Sequence, residues 1–314
     1  MEVKEIIDFL LSKTGYLKEG SGRLKRHLDN KGFITTKKSC KLALTQARQL
    51  FKEKVLRVQE RKARILIFDI ETSPNIGWFW RAGYKLNIQP NQIIKERAII
   101  CISYRWKGEK EVYNLAWDSE QDDKFMLEQF IEVMNEADLL VAHNGDRFDL
   151  KWIKTRALFH GINTMLIDYP SLDTLKLAKK KFNFNSNRLD YIAKFLGFEG
   201  KIKTTGELWN NVCIQNDREA LKEMIAYCDE DVVQLEKVYD ALVGWENPKF
   251  HLGVLQGKTK MTSPVSGSKN LKYVKSVTTN RGTIKHIIKD LDTKRNFEMS
   301  DTNWRKFKEI NLDK

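Results

Sequence analysis

The sequence predicts an α/β domain with a mixed β-sheet and helices on both of its faces, flanked by a small helical module and a small β-rich module. A chain of 314 residues has room for about two domains at roughly 150 residues each. In its centre, short apolar runs with β-branched and aromatic residues come first, and helical periodicity follows. Strands followed by strand–helix alternation are typical of a mixed sheet. We place the three parts at residues 1–64, 65–244 and 245–314.

The central elements follow from local patterns. Apolar and aromatic stretches predict strands at residues 65–68, 76–84, 99–106, 111–117 and 139–142. Helical spacing of apolar residues predicts helices at 121–135, 147–159, 175–181, 189–196 and 218–243.

The two flanks have different patterns. Helical periodicity predicts three helices at residues 4–13, 22–30 and about 36–64, an arrangement compatible with a helix-turn-helix-like module or with any small bundle. The C-terminal flank predicts a hairpin from strands at 271–277 and 283–288, joined by a turn at 279–282.

Charge is sorted along the chain. Residues 1–64 hold 17 Lys and Arg against 7 Asp and Glu, and residues 245–314 hold 15 against 7, whereas residues 65–244 hold 23 against 28. Two basic flanks around a slightly acidic centre favour a protein that binds nucleic acid. The alternative is that the lysine-rich flanks are only solvated surfaces.

Cysteine usage and hydropathy indicate the compartment. The four cysteines, Cys40, Cys101, Cys213 and Cys228, are scattered and form no disulfide framework or Cys-x-x-Cys metal site. No run of about 18 apolar residues and no cleavable signal is present. We therefore expect a cytoplasmic protein without a membrane partner.

Carboxylates follow the first central strand. Asp69 and Glu71 are two residues apart, so their side chains project from one face of that strand. Ligands of open α/β sheets bind at the carboxyl ends of strands. A cation between the two carboxylates is therefore one interpretation, and a solvated strand end is the other.

Two later segments add further carboxylates. Asp149 lies in the first turn of the helix after the strand at 139–142. Tyr227 and Asp231 are four residues apart, one above the other on one face of the long helix. Apolar residues surround that face, so we expect Asp231 to point inward, where a buried carboxylate needs a partner or a metal. An ordinary half-buried helix pair is the alternative interpretation of Tyr227 and Asp231.

Together these residues resemble the DEDD superfamily of 3′→5′ exonucleases, which has the ribonuclease H-like fold. The family motifs Asp-x-Glu, Asn-x3-(Phe/Tyr)-Asp and Tyr-x3-Asp stand here, in the same order, as Asp69/Glu71, Asn144/Phe148/Asp149 and Tyr227/Asp231. The histidine subclass would have His five residues before the last Asp, but that residue is Ala226. The resemblance covers about residues 65–244 and fits the tyrosine subclass.

The resemblance implies a two-metal mechanism. Two divalent cations stabilise charge on the attacking and leaving oxygens of phosphodiester hydrolysis, and oxygen ligands suit Mg²⁺ or Mn²⁺. Asp69, Glu71 and Asp231 would hold the first cation, and Asp69 with Asp149 the second. Tyr227 would orient the attacking water. We accordingly expect five catalytic residues, namely Asp69, Glu71, Asp149, Tyr227 and Asp231.

Substrate contacts are predicted less directly. Asn144 either contacts the scissile strand or caps its helix. Trp78 either stacks on a base, as in single-strand binders, or packs in the core or on an edge strand. Phe148 belongs to the second motif. In the basic flanks, the candidates for nucleic-acid contact are Arg48, Lys52, Lys272 and Lys285.

The C-terminal flank also resembles a zinc ribbon that has lost its cysteines. Residues 263–271 read Ser-Pro-Val-Ser-Gly-Ser-Lys-Asn-Leu, similar to a Cys-Pro-x-Cys-Gly-Ser-x-Asn-Leu knuckle of phage-type exonucleases. Zinc ribbons need four Cys or His ligands. We therefore expect a degenerate, zinc-free ribbon.

The function expected from the sequence is metal-dependent 3′→5′ exonuclease activity on DNA by a monomer, with a role beside a DNA polymerase in phage replication or processing. An exoribonuclease is the first alternative, because the same carboxylates would serve RNA. A non-catalytic nucleic-acid-binding adaptor is the second alternative.

Overall fold

The structure is a computed structural model that describes residues 2–56, 63–81, 83, 86–162, 169–198 and 205–311. The helices are α1 (Val3–Ser12), α2 (Ser21–Asn30), α3 (Lys37–Leu56), α4 (Lys124–Asn135), α5 (Asp149–Phe159), α6 (Thr174–Lys181), α7 (Leu189–Phe195), α8 (Gly206–Cys213), α9 (Arg218–Leu242), α10 (Leu252–Leu255) and α11 (Asp301–Asn311). The strands are β1 (Ile65–Thr72), β2 (Ile76–Gly77), β3 (Ile93–Lys95), β4 (Ile99–Trp106), β5 (Tyr113–Ala116), β6 (Leu139–Ala142), β7 (Ser171–Asp173), β8 (Leu271–Thr278), β9 (Ile284–Asp290) and β10 (Asn296–Ser300).

The central domain is built on a five-stranded mixed sheet in the order β5-β4-β1-β6-β7. The first three strands pair antiparallel, whereas β1–β6 and β6–β7 are parallel. Helices cover both sides of the sheet. The predicted α/β class with a ribonuclease H-like mixed sheet is confirmed.

Strand β1 supplies the centre of the core because its two faces pack against different helices. Leu66, Phe68 and Ile70 pack in a cluster that includes α4. Ile65 and Ile67 pack on the opposite face, against Val232 and Leu235 of α9 among others. Asp69 and Glu71 continue the face that Ile65 and Ile67 begin, and this alternation directs both carboxylates toward α9.

The N-terminal module is a helical bundle. Helices α1, α2 and α3 enclose a core whose fully buried members include Ile6, Leu10, Leu24 and Leu28. Thr36 precedes α3, and its hydroxyl accepts a hydrogen bond from the Ser39 amide at 3.0 Å, which caps the helix. The end predicted for this helix falls partly on residues 57–62, which lie outside the described part of the chain.

The C-terminal module is a three-stranded antiparallel sheet in the order β10-β9-β8 with α11 packed on one face. The predicted hairpin corresponds to β8 and β9. Strand β10 and α11 were not predicted, although the spacing of Trp304 and Phe307 on α11 places both against the sheet.

One predicted strand is wrong. Of the described residues 76–81 and 83, only Ile76 and Gly77 form a strand, and it pairs with β3 in a separate two-stranded ribbon. The ribbon needs a glycine, because a Cβ on Gly77 would lie 2.7 Å from the carbonyl oxygen of Gln92. Trp78, Phe79 and Trp80, which suggested a strand, lie on the surface, and Trp80 is 91 % exposed. Residues 82 and 84 lie outside the described part.

Other boundaries shift by a few residues. The helix predicted from 147 begins at Asp149, because the chain first turns through Asn144, whose φ of 72° is in the left-handed region. Helix α8 and strand β7 were not predicted. None of the described helices is both long enough and apolar enough to cross a membrane.

Candidate active site

The site begins at the carboxyl end of β1, where Asp69 and Glu71 lie on one face. Both are partly exposed, whereas the apolar residues before them are buried. Strand β1 is central in the sheet, so the neighbouring strands β4 and β6 hold it on both sides. The two carboxylates are therefore held by a rigid backbone at the edge of the core.

Helix α9 brings the third carboxylate to this edge. The side chain of Asp217 caps the helix by accepting hydrogen bonds from the amides of Glu219 and Ala220. Further along the helix, Asp231 is only 4 % exposed. Carboxylate oxygens of Asp69, Glu71 and Asp231 all lie within 4.8 Å of one another. Strand β1 and helix α9, far apart in sequence, thus form one cluster of three acids.

Asp149 approaches β1 from α5. A sharp turn after β6 leads to it, and this turn requires Gly145, since a Cβ there would lie 2.5 Å from the Cβ of Ala142. Asp149 is 2 % exposed. Its carboxyl group accepts a hydrogen bond from the backbone of Ile70, the residue between Asp69 and Glu71. Asp149 is therefore adjacent to the acidic cluster.

The environment of Asp149 disfavours its charge in the absence of a cation. Burial, reinforced by the nearby negative charge of Asp173, raises the pKa of Asp149 to about 7, although backbone hydrogen bonds from Asp149 and Ile70 oppose the rise. Its Oδ1 is buried and receives no hydrogen bond from the described residues. A buried carboxylate oxygen without a donor is suited to bind a cation.

These four residues fit a divalent metal site. They supply only carboxylate oxygens, which hard cations such as Mg²⁺ and Mn²⁺ prefer. Three of them converge, and the fourth has a buried oxygen without a donor. A cation would offset the mutual repulsion of the carboxylates, so the cluster is a candidate metal centre.

Tyr227 lies on the same helix, one turn before Asp231. Its ring contacts the indole of Trp209 edge-on, with centroids 6.4 Å apart. The Trp209 indole N–H donates to the carbonyl oxygen of Thr72 at 3.3 Å. Trp209 of α8 therefore connects the end of β1 to Tyr227. Sequence reasoning missed Trp209, and the only available signal was the i, i+4 pair of Leu208 and Val212, which are buried on α8.

The remaining residues of the second motif have structural contacts. The backbone N–H of Asn144 donates to Asp173 at 3.0 Å, and Asp173 also caps α6. The side-chain role predicted for Asn144 remains a prediction. Phe148 packs against the core cluster, and the guanidinium carbon of Arg97 lies 6.0 Å from its ring centroid.

Trp78 lies on the surface, with 44 % of its area exposed. Its ring meets that of Trp80 edge-on at 5.5 Å. The core alternative is therefore wrong for Trp78, whereas the predicted contact with a base remains a prediction.

The candidates in the flanks lie far from the acids in sequence. Arg48 is not a free surface cation, because its guanidinium donates to the carbonyl oxygens of Leu17 and Glu19. The side chain of Lys52 lies outside the described part of the structure. Lys272 is exposed on β8, and Lys285 on β9 forms an ion pair with Glu298.

A second acidic group has a structural role. Asp122, Asp123 and His160 also place potential ligand atoms within 4.8 Å of one another. However, Arg156 donates to both carboxylate oxygens of the fully buried Asp123, each at 2.8 Å. A guanidinium already neutralises this carboxylate, so the group is an ion-pair network of the core.

Comparisons with known proteins agree with this fold. The family described as the RNase_H superfamily matches residues 94–243. This range includes Asp149, Tyr227 and Asp231 and begins after β1. The chain is 32 % identical over 152 residues to the PolC-type DNA polymerase III of Ureaplasma parvum serovar 3, a match that covers 45 % of this chain and 10 % of that polymerase. The central part of the chain therefore has an RNase H-like fold.

A solved structure is also similar. The family B DNA polymerase of the archaeon Pyrobaculum calidifontis matches 63 % of this chain with a TM-score of 0.47 and 15 % identity, over 28 % of its own length. The chain thus spans about a tenth of the one polymerase and under a third of the other.

Proposed function

We propose that the central domain hydrolyses phosphodiester bonds of DNA from the 3′ end, as a tyrosine-subclass member of the DEDD exonucleases. The observation that carries the proposal is the convergence of Asp69, Glu71 and Asp231 within 4.8 Å, with Asp149 against the same strand. The RNase H superfamily match supports nuclease activity. The similarity to a protein named as a DNA polymerase favours DNA as the substrate.

The acids are the proposed metal ligands. Asp69, Glu71 and Asp231 would hold one divalent cation, and Asp69 with Asp149 a second. When bound, such cations stabilise negative charge on the attacking and leaving oxygens of the phosphodiester. The protein's contribution is a rigid arrangement of oxygens at the end of β1.

Tyr227 is the proposed water-positioning residue. It lies one turn from Asp231 on the same face of α9, so its hydroxyl is placed on the side of the helix that carries the acid. Trp209 restricts the ring through its edge contact. A hydrogen bond from the hydroxyl group would orient a water molecule for in-line attack without consuming the tyrosine.

The exposed aromatic residues after β2 suit a single-stranded end. Trp78 and Trp80 follow β2 in sequence and present exposed rings to solvent. Base–aromatic stacking contributes about 1–3 kcal/mol per base and tolerates any sequence. We propose that these rings contact the substrate near its 3′ end.

We further propose that the protein is a cytoplasmic monomer that acts beside a DNA polymerase, in the replication or processing of phage DNA.

One experiment tests activity and polarity together. A single-stranded DNA labelled at its 5′ end is incubated with the protein and Mg²⁺, in parallel with the same strand labelled at its 3′ end. The proposal predicts a ladder of shortening products from the 5′-labelled strand and immediate release of labelled mononucleotide from the other. EDTA should stop both reactions.

The alternatives predict different outcomes. An exoribonuclease would digest an RNA strand of the same sequence and leave the DNA intact. A non-catalytic adaptor would bind both strands and digest neither. Either outcome would overturn the proposed DNA exonuclease.

A further inference from the structure

Four lysines of the C-terminal sheet lie on one face of it. They are Lys272 and Lys275 on β8 and Lys285 and Lys289 on β9, and we call them the lysine face. Lys272 pairs with Lys289 in the strand register, and Val277, two residues after Lys275, pairs with Lys285. Directly paired residues of antiparallel strands point to the same side of a sheet, so the four side chains share one side.

The opposite face of this sheet is occupied. The alternate residues of β9, His286, Ile288 and Asp290, are buried. Ile288 packs with Trp304 and Phe307 of α11, and Tyr273 of β8 stacks on Trp304 with centroids 5.2 Å apart. The residues that face α11 thus form the module's small core, and the lysines lie on the side away from it.

A β-bulge in β8 creates this arrangement. Lys272 and Lys275 are three residues apart, and in a regular strand such residues point to opposite faces. The register shifts between Tyr273 and Lys275, where Tyr273 pairs with Ile288 and Lys275 pairs with the next residue, Ile287. The extra residue, Val274, returns Lys275 to the side of Lys272, a common use of bulges.

The charge on this face is largely uncompensated. Lys285 forms an ion pair with Glu298 of β10. Within the described residues, Lys272, Lys275 and Lys289 have no ion-pair partner. Lys272 and Lys289 are directly opposite each other, and like charges in that position destabilise a sheet. An anion bound across the two strands would relieve this repulsion.

We propose that the lysine face binds the phosphate backbone of the DNA strand on which the nuclease domain acts. The identity of the strand rests on the proposed function, whereas the site itself rests on the register, the bulge and the unpaired charges. Lysine contacts to phosphate carry no sequence information. The lysine face would therefore bind a DNA strand of any sequence. It would supply affinity for DNA that the acidic central domain does not.

Binding is measured in EDTA, so that the DNA stays intact whether or not the protein is a nuclease. Fluorescence anisotropy of a labelled 20-nucleotide single strand is recorded against salt for the full chain and for the triple variant Lys272→Gln/Lys275→Gln/Lys289→Gln. Each phosphate contact on a single strand contributes about 0.7 to the slope of log K against log salt. The variant should bind more weakly, with a slope shallower by about 2.

Two controls separate charge from structure. The triple variant Lys124→Gln/Lys306→Gln/Lys308→Gln removes the same charge from α4 and from α11, and should keep the wild-type slope. Replacing Lys272, Lys275 and Lys289 by Arg should also keep the wild-type slope. If the Gln triple variant does not fold, the pair Lys272→Gln/Lys275→Gln on the exposed edge strand should still make the slope shallower by about 1.4.

An unchanged slope in the folded Gln variant would overturn the proposal, and so would an equal loss of slope in the α4–α11 control. Either result leaves the exonuclease proposal intact, because digestion with Mg²⁺ is tested separately. Failure of digestion would, in turn, leave the binding measurement valid.

Discussion

The thiol of Cys228 on α9 donates a hydrogen bond to the main-chain oxygen of Asp69 on β1, with the sulfur 3.6 Å from that oxygen. Burial raises the pKa of Cys228 well above its usual value, and the nearby Cys101 and the site acids raise it further. The thiol therefore stays protonated and remains a donor. This contact aligns α9 with the end of β1, and Asp231 follows less than one helical turn later.

Replacing Asp231 by Asn should weaken metal binding without harming the fold. The variant loses one ligand charge, and loss of even an outer partner of a metal ligand reduces affinity about 10–100-fold, so we expect at least a tenfold weaker Mn²⁺ affinity by calorimetry. The metal-free protein should be as stable as the wild type or more stable, because repulsion with Asp69 and Glu71 is reduced. Asp190→Asn, on the surface of α7, is the control. Unchanged Mn²⁺ affinity in Asp231→Asn would exclude Asp231 as a ligand.

Replacing Tyr227 by Phe should affect rate more than metal binding. The substitution removes only the hydroxyl group and keeps the ring against Trp209. We expect slower turnover on single-stranded DNA, with the Mn²⁺ affinity and the melting temperature close to wild type. If turnover did not change, the water-positioning role would be wrong. If metal affinity fell as much as the rate, Tyr227 would be a residue that holds the cluster together.

The buried ion pair of Asp123 predicts a pH-dependent contribution to stability. Burial alone would raise the pKa of Asp123, but hydrogen bonds from Arg156, the Ile99 amide and His160 outweigh it and hold the pKa below the usual 3.8. A lowered folded-state pKa stabilises the fold above about pH 3.8, and this stabilisation is lost as the pH falls through the folded-state value. Asp123→Asn leaves Arg156 buried without its counter-charge.

We therefore expect Asp123→Asn to lower the free energy of unfolding by about 3–5 kcal/mol at pH 5 to 7, measured by urea denaturation. The difference in the free energy of unfolding between the variant and the wild type should become smaller only below about pH 3.8. Glu120→Gln, an exposed neighbour, should have almost no effect. Equal free energies of unfolding of the variant and the wild type at pH 5 would contradict the lowered pKa of Asp123.

The C-terminal module should be stable without zinc. Where the resemblance places a metal knuckle, Ser266 donates to Asp290 at 2.5 Å, and both Ser263 and Asp290 are fully buried. Ser266→Ala removes a donor to a buried carboxylate, which typically costs about 1–3 kcal/mol. Elemental analysis of the wild type should find no stoichiometric zinc, and Ser266→Ala should melt at a lower temperature than Ser119→Ala. Tightly bound zinc would refute this interpretation.

The parts of the site that follow from local geometry were predictable. Residues two apart on a strand share a face, and this rule predicted that Asp69 lies beside Glu71. Residues four apart on a helix also share a face, and this rule predicted that Tyr227 lies beside Asp231. The sheet was predicted as mixed, and the structure and the superfamily match confirm this. The roles of these residues remain predictions.

Features that depend on distant contacts were not predictable. Trp209 reaches Thr72 across 137 positions of the chain, so no local pattern reveals the contact. Trp78, Phe79 and Trp80 have strand propensity, yet they lie outside the strands of the structure. The bulge that aligns Lys272 with Lys275 depends on the pairing register of β8 with β9, which alternation along one strand does not reveal.

The central claim is that the acids at the end of β1 hold the metals that hydrolyse DNA, and the rate of Mg²⁺-dependent digestion of single-stranded DNA by Asp69→Asn tests it most directly. Asp69 is the one acid proposed to contact both cations. Loss of one transition-state donor in other enzymes lowers the rate about 10²–10³-fold. We expect at least that loss in Asp69→Asn, with wild-type folding by circular dichroism and full activity in Asp190→Asn. Digestion by Asp69→Asn at a rate near that of the wild type would contradict the account.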